Sequence, residues 1–409
     1  MVLMSETEAK IPMLDLRAQH AELEEELLEG FSAVLATGRF VLGDSVEAFE
    51  SDLAKYCGAR FAVGCNSGTD ALWLALRGLG IGPGDAVLCP AFSFFATAAT
   101  IVRVGAEPVF VDIDPATLNL DPEDAIRRAR KVPNVRALIS VDLFGRVCEL
   151  GPLEAYCRER GIHIIQDAAQ SIGALDANGN RIGARSDIAC FSFYPTKNLG
   201  ALGDAGGLVT DDPDLAGKLG RLRMHGESEP GVYEELGINS RLDALQAIVL
   251  SIKLRHLESW THAHRRLAAH YDSQFLERGA VMGVAGSSVS TTEVPDSLRE
   301  PFADARLPLL VPTALPAPGL HTYHRYVIRV PAERRDGLSQ ALARAGIESA
   351  VFYPRGLHQQ PALSAFSPAE PLIETERACR EVLSLPLFAK LGIDRVEAVV
   401  AAILRFFES

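Results

Sequence analysis

Short runs of β-branched and apolar residues recur along the first half of the chain, a helix-length interval apart. This alternation constrains the fold more than any other feature. The runs are 61–65 (FAVGC), 86–89 (AVLC), 108–112 (PVFVD), 137–141 (ALISV) and 162–166 (IHIIQ), with helix-like stretches near 69–79, 94–104, 122–131 and 151–160. Strands alternating with helices predict a largely parallel sheet covered on both faces. The alternation breaks after 166. Runs 189–193 (ACFSF) and 207–210 (GLVT) are joined by a glycine-containing loop too short for a crossover helix, so one of these strands is expected to be antiparallel. The expected fold class is α/β, with a mixed, mostly parallel sheet covered by helices and a smaller C-terminal α/β domain.

Helical spacing of Leu23, Leu27, Phe31 and Val34 predicts a helix over 18–37, and 242–257 reads as an amphipathic helix. Segment 280–320 is rich in Ser, Thr, Pro and Ala and reads as a long irregular excursion. Beyond it, 323–330 reads as a strand, 336–346 as a helix, 347–353 as a strand and 393–408 as a final helix. With 409 residues the chain exceeds one ordinary domain. The boundaries expected are 1–261 for a large domain and 262–409 for a small one that includes 280–320.

No long apolar run predicts a membrane span, and the N-terminal residues do not resemble a signal peptide. The net charge of −13, from 40 basic and 53 acidic residues, is opposite to that of a nonspecific nucleic-acid or anionic-membrane binder. The seven cysteines are odd in number and form no CxxC. They read as reduced, buried thiols of a cytoplasmic protein, and no metal site is expected.

Four segments carry chemistry. In FSFYPTKNLGALGDAGG (191–207) a strand end delivers Lys197 into a glycine-rich turn. A loop lysine is ordinarily solvated, but one desolvated here would have a lowered pKa and a neutral amine for Schiff-base chemistry. In IHIIQDAAQSIG (162–173) Asp167 ends a buried strand, where ligands bind in open α/β sheets. It fits a turn cap, and equally a carboxylate set against the ring nitrogen of pyridoxal phosphate. In FAVGCNSGTDALWLALRGLG (61–80) Ser67, Gly68 and Thr69 begin a helix, giving either a simple N-cap or a phosphate cradle. No Walker loop or dinucleotide fingerprint is present. Phe94, in PAFSFFATA (90–98), stands at a strand–helix junction, as core or as a stacking face for a planar ring. Ser192 offers a hydroxyl to the phosphate or to the backbone.

Together these segments resemble the DegT/DnrJ/StrS family of sugar aminotransferases, fold-type-I pyridoxal phosphate enzymes. The resemblance extends through GRFVLGDSVEAFE (38–50), GAEPVFVDIDP (105–115), QDAAQSIGA (166–174), GINSRLDALQA (237–247) and FYPRGLHQQP (352–361). It implies that Lys197 is the Schiff-base lysine and that Asp167 pairs with the ring nitrogen. It also implies that Gln170 contacts the ring hydroxyl, that Phe94 stacks on the ring, and that Gly68, Thr69, Asp70 and Ser192 hold the phosphate. It further implies a homodimer with shared active sites, in which Asn239 and Arg241 reach the other subunit's cofactor or substrate. His225, His358, Tyr353 and, more weakly, Arg39 become substrate contacts, although either histidine equally fits a packed or solvated role. The family often has His before the Tyr-Pro, where this chain has Phe352.

The activity implied is transfer of an amino group from L-glutamate to a UDP- or dTDP-linked ketosugar, at the third ring carbon. Amination at the fourth carbon or of a keto-inositol, sugar dehydration, and a non-catalytic regulatory role are the alternatives. Retention of Lys197, which some relatives replace by His, favours transamination over dehydration.

Overall fold

The computed structural model of the chain describes residues 10–183, 186–283, 302, 305–315 and 317–408. The apolar runs of the first half become seven strands: β1 (Phe61–Cys65), β2 (Ala86–Pro90), β3 (Glu107–Val111), β4 (Val135–Val141), β5 (His163–Asp167), β6 (Ile188–Ser192) and β7 (Gly206–Thr210). They form one sheet in the order β1-β7-β6-β5-β4-β2-β3. β2 to β6 pair parallel, whereas β7 runs antiparallel to both β1 and β6. The reversal follows from the short glycine-rich connection after β6. β2 and β7 are buried along their length, and β4 and β5 beyond their first one or two residues, as expected of a sheet covered on both faces.

Helix starts follow local signals. Asp121 and Asp212 cap helices that open with Pro122 and Pro213, and Ser67 caps Gly68–Gly78. The Gly68–Gly78 helix is buried from Ala71 to Leu76 without a polar face, so it lies inside the molecule rather than on its surface. The expected 18–37 helix is divided into Leu16–His20 and Glu24–Thr37, and the later amphipathic helix spans Ala244–Leu254.

β8 (Glu227–Glu229) and β9 (Val232–Tyr233) pair antiparallel in a separate two-stranded sheet. The smaller sheet comprises β10 (Val281–Met282), β11 (Leu310–Val311), β12 (Tyr326–Arg329) and β13 (Val382–Leu385), in that order. Its core includes Tyr271, Phe275, Tyr326, Leu338 and Val399. The helix Leu257–Leu276 runs across residues 261 and 262 and presents Tyr271 to this sheet, its ring 4.6 Å from that of Tyr326. Most of 280–320, namely 284–301 together with 303, 304 and 316, lies outside the described residues.

The strand expected over 347–353 does not form. Ala350 makes a single bridge to Ser384, and β13 takes the place beside β12. Phe352 and Tyr353 face a cavity instead of a sheet partner, and Pro354 has no N–H with which to extend a ladder. The helix expected over 336–346 starts earlier, at Ala332 directly after Pro331.

Candidate active site

The carboxyl ends of the parallel strands and the start of β7 share one edge of the large sheet. A cavity of about 490 Å³ opens there, the edge at which open α/β sheets bind ligands. Three groups of residues build it.

The first is a cradle. Ser67 is extended, and its Oγ accepts from Asp70 N at 3.1 Å. The amides of Gly68 and Thr69 belong to the first turn, where no intrahelical acceptor exists, and the helix dipole adds partial positive charge. Space here is minimal. A Cβ on Gly68 would stand 2.6 Å from Ser192 Cβ, and one on Gly206 would stand 2.4 Å from the Ser67 carbonyl oxygen. Ser67, Gly68, Thr69 and Ser192 all line the cavity. Asp70 does not; its carboxylate accepts from Ser240 Oγ at 2.8 Å and lies 3.8 Å from Arg103.

The second group surrounds Asp167, the last residue of β5. Thr97 Oγ1 donates to its Oδ2 at 3.0 Å, and Ala169 N donates to its Oδ1 at 3.2 Å. Burial pushes the carboxyl above its ordinary pKa, while these two donors and the Lys197 charge oppose the rise. Behind it lies Asp142, fully buried and bonded by Cys148 N, Gln166 Nε2 and Ser171 Oγ. Burial raises Asp142 to about 7, with the Asp167 charge adding to the effect. Gln170 Oε1 accepts from Phe144 N at 2.8 Å, and its Nε2 donates to Tyr353 Oη at 3.3 Å. Phe94 lines the same cavity with its ring 6.4 Å from that of Tyr353, and remains 58% exposed.

The third group holds Lys197. Its loop folds tightly, so that a Cβ on Gly200 would stand 2.4 Å from the Pro195 carbonyl oxygen. The helix Ala244–Leu254 fastens it from below. Lys253 Nζ donates to Gly200 O at 2.7 Å, and Gln246 Oε1 accepts from Leu202 N at 2.8 Å. Beside Lys197, Asn198 Oδ1 accepts from His324 Nδ1 at 2.9 Å. Burial, helped by the Arg325 charge, lowers Lys197 to about 8, against the pull of Asp167. At pH 7 about a tenth of an amine with that pKa is uncharged, far more than for an ordinary lysine.

The fold therefore brings Gly68, Thr69, Phe94, Asp167, Gln170, Ser192, Lys197 and Tyr353 to one cavity. The remaining expected residues lie off its wall. Asn239 and His225 are exposed, and Arg241 is half-buried. Arg39 is exposed and faces Asp44 at 3.4 Å. His358 is buried, with its ring 6.3 Å from that of Phe110 and its Nε2 3.4 Å from Glu376. Three residues that the sequence reading passed over matter here: Thr97, Lys253 and Arg325. Thr97 lies within the expected 94–104 helix, one turn from Ser93, to which its hydroxyl is also bonded at 2.9 Å. That doublet of hydroxyls on an otherwise apolar helix start was the only local signal.

The sequence profile of the DegT/DnrJ/EryC1/StrS aminotransferase family matches residues 21–404. A dTDP-3-amino-3,4,6-trideoxy-alpha-D-glucose transaminase from Streptomyces venezuelae is 40% identical, over 98% of this chain and 97% of its own. A pleiotropic regulatory protein from Geobacillus stearothermophilus is also 40% identical, over 97% of this chain and 98% of its own. The crystal structure of S. venezuelae DesV, solved in complex with a ketimine intermediate, superposes with a TM-score of 0.86 at 38% identity, covering 98% of this chain and 99% of that one.

Proposed function

The chain belongs to the DegT/DnrJ/EryC1/StrS aminotransferase family, and from that premise we propose that this pyridoxal-phosphate-dependent aminotransferase moves the amino group of L-glutamate onto the third ring carbon of a UDP- or dTDP-linked ketosugar. The observation that carries the reading is the meeting of Lys197, Asp167 and the Gly68 cradle on one cavity.

The residues present fit the cofactor. The cradle has first-turn amides, the hydroxyls of Ser67, Thr69 and Ser192, and no room for a Cβ at Gly68, which suits a phosphate brought close to backbone. Asp167 would hold the ring nitrogen, Gln170 the ring hydroxyl and Phe94 a ring face. When bound, pyridoxal phosphate supplies a carbonyl for amines and a ring that draws electrons from the carbon bearing them.

The protein's share is orientation and proton movement. Asp167, whose anionic form Thr97 and Ala169 favour against the opposing effect of burial, would keep a proton on the ring nitrogen. Lys197, with a pKa near 8, moves the proton at the amine-bearing carbon of either substrate. Phe94 and Tyr194 remain 58% and 52% exposed on the cavity wall, and Phe40 and Val41 are also exposed. The exposed apolar rings of Phe94 and Tyr194 at the cavity support a homodimer in which a second copy brings Asn239 and Arg241 to the site. Amination at the fourth carbon, keto-inositol amination, dehydration and a purely regulatory role are not favoured by the relatives and the retained lysine together.

The test is a two-step assay on the purified holoenzyme. L-glutamate alone should bleach the cofactor's visible band and release one 2-oxoglutarate per site. A nucleotide-linked 3-ketosugar should then restore the band and yield the amino sugar. No spectral change with L-glutamate would refute the donor, and restoration only by 4-ketosugars would refute the ring position.

A further inference from the structure

We propose that Arg325 is the receptor for the amino donor's carboxylate, and so a determinant of donor selectivity. The inference rests on the aminotransferase reading above and adds to it a recognition role for a residue that the sequence reading passed over.

Arg325 carries a half-buried guanidinium. The buried arginines among the described residues have partners. Arg329 holds Glu381 and the Pro115 carbonyl, Arg128 holds Asp124, and Arg146 donates to the Thr313 carbonyl. Among the described residues no carboxylate lies within ion-pair distance of Arg325, and its guanidinium makes no hydrogen bond. Its carbon Cζ lies 5.0 Å over the Phe352 ring, and its side chain faces the cavity that holds Asp167, Lys197 and Tyr353. Burial presses on its charge, and only Tyr353 acts in its favour. A guanidinium desolvated without an anion is costly, and a planar fork laid on an aromatic face is well placed to take a carboxylate with two parallel hydrogen bonds.

The position is also fixed. Arg325 N donates to Phe144 O at 3.4 Å, and Phe144 N donates to Gln170, so backbone and cofactor wall are tied together. Phe352 gains a role from this geometry. Where relatives often carry a histidine, this chain has a ring without a donor, which serves as a platform for Arg325.

The chemistry of the substrates selects the anion. In an α-amino acid the carboxylate is one bond from the carbon whose proton Lys197 moves. The Arg325 charge acts on Lys197 itself, so the guanidinium lies in the field range of the reacting amine. A sugar-linked diphosphate is separated from a 3-keto carbon by further ring carbons and an oxygen. A cavity of about 490 Å³ is of the size that holds small ligands, so the nucleotide extends beyond its mouth.

The experiment compares wild type with Arg325→Gln and Arg325→Lys as holoenzymes, in the two half-reactions separately. With L-glutamate, Arg325→Gln should need about 10- to 100-fold more donor for half-saturation, as expected for loss of a charge-assisted pair worth about 1.5–3 kcal/mol. Arg325→Lys should recover part of the loss. In the ketosugar half-reaction of the amine-loaded enzyme, half-saturation by the sugar should change far less than half-saturation by L-glutamate, although the rate can shift because the Arg325 charge also acts on Lys197. Glutarate, a dicarboxylate without an amine, gives a readout free of turnover: calorimetric binding to the holoenzyme should weaken at least tenfold in Arg325→Gln. Unchanged glutamate saturation and glutarate binding would overturn the assignment alone. A loss confined to the ketosugar half-reaction would overturn it in favour of a sugar anion. A wild type inert to L-glutamate would instead overturn the donor reading, and this assignment with it.

Discussion

Replacing Thr97 by Val tests what opposes the effect of burial on the Asp167 carboxyl. The two side chains have nearly the same shape, and the site is fully buried, so the substitution removes one hydroxyl and leaves little cavity. That hydroxyl is one of two hydrogen-bond donors to the Asp167 carboxylate, at 3.0 Å. A hydrogen bond to a charged group contributes about 1.5–3 kcal/mol, and 1.36 kcal/mol corresponds to one pKa unit. The pKa of Asp167 should therefore rise further above its ordinary value. The sign is fixed: losing a donor to the anion favours the protonated acid, so the acid limb of the rate profile moves to higher pH. A neutral Asp167 no longer holds the ring-nitrogen proton, and the glutamate half-reaction should slow about 10- to 100-fold at neutral pH. Stopped-flow absorbance of the cofactor across pH 5–9 measures both effects. Thr97→Ser, which keeps the hydroxyl, should resemble wild type. So should Thr100→Val, which removes a buried hydroxyl bonded only to carbonyls of its own helix. If Thr97→Val matched Thr97→Ser in rate and acid limb, the reasoning about Asp167 would be refuted.

Lys197→Ala should fold and retain cofactor through the cradle and Asp167, but lose the visible band and turnover; normal turnover would show that another group moves the proton. Gly68→Ala places a methyl 2.6 Å from Ser192 Cβ. It should cost about 1–3 kcal/mol of stability by overpacking and weaken cofactor binding, read by melting temperature and by titration of the apoenzyme. Lys253 is buried and lowered from 10.5 to about 8. The penalty on its charged form is complete below pH 8 and relieved between 8 and 10.5, because the unfolded chain binds more protons over that interval. Wild type should therefore gain up to about 3 kcal/mol relative to Lys253→Met as pH rises through that window, a trend that denaturant titration at several pH values would show or deny.

How much of this was legible in the sequence depends on whether a residue's role is local. The β-strand runs, the reversal after β6 and the Ser67 cap are written in neighbouring residues, and all seven strands of the large sheet lie where periodicity places them, within a residue or two. That Lys197, Asp167 and Ser67–Thr69 would meet at one edge was also legible, since each stands at or within a few residues of a strand's carboxyl end and the topology carries those ends together. Thr97 was not, because a hydroxyl inside a helix reads the same whether it meets a carbonyl or a carboxylate. Only the packing of β5 beside that helix decides which.

The same limit explains 347–353 and Arg325. Val351, Phe352 and Tyr353 carry strong strand propensity, but that propensity records a fit to a half-buried surface and not the identity of the surface. In this protein the surface is the wall of the cavity, and the residues that face it are aromatic for the same reason that strand residues are. In HTYHRYVIRV, β12 begins at Tyr326, and its first residues are set by β13, a four-residue run more than fifty positions away. The pairing of Tyr326 with Leu385 fixes where the strand begins, so it also fixes that Arg325 stands just outside it, against Phe144 and over Phe352. No window along the sequence contains those four segments together. A charged residue next to a predicted strand is thus ambiguous between solvent and site until the register of the distant partner is known, and register, more than propensity, turned Arg325 toward Lys197.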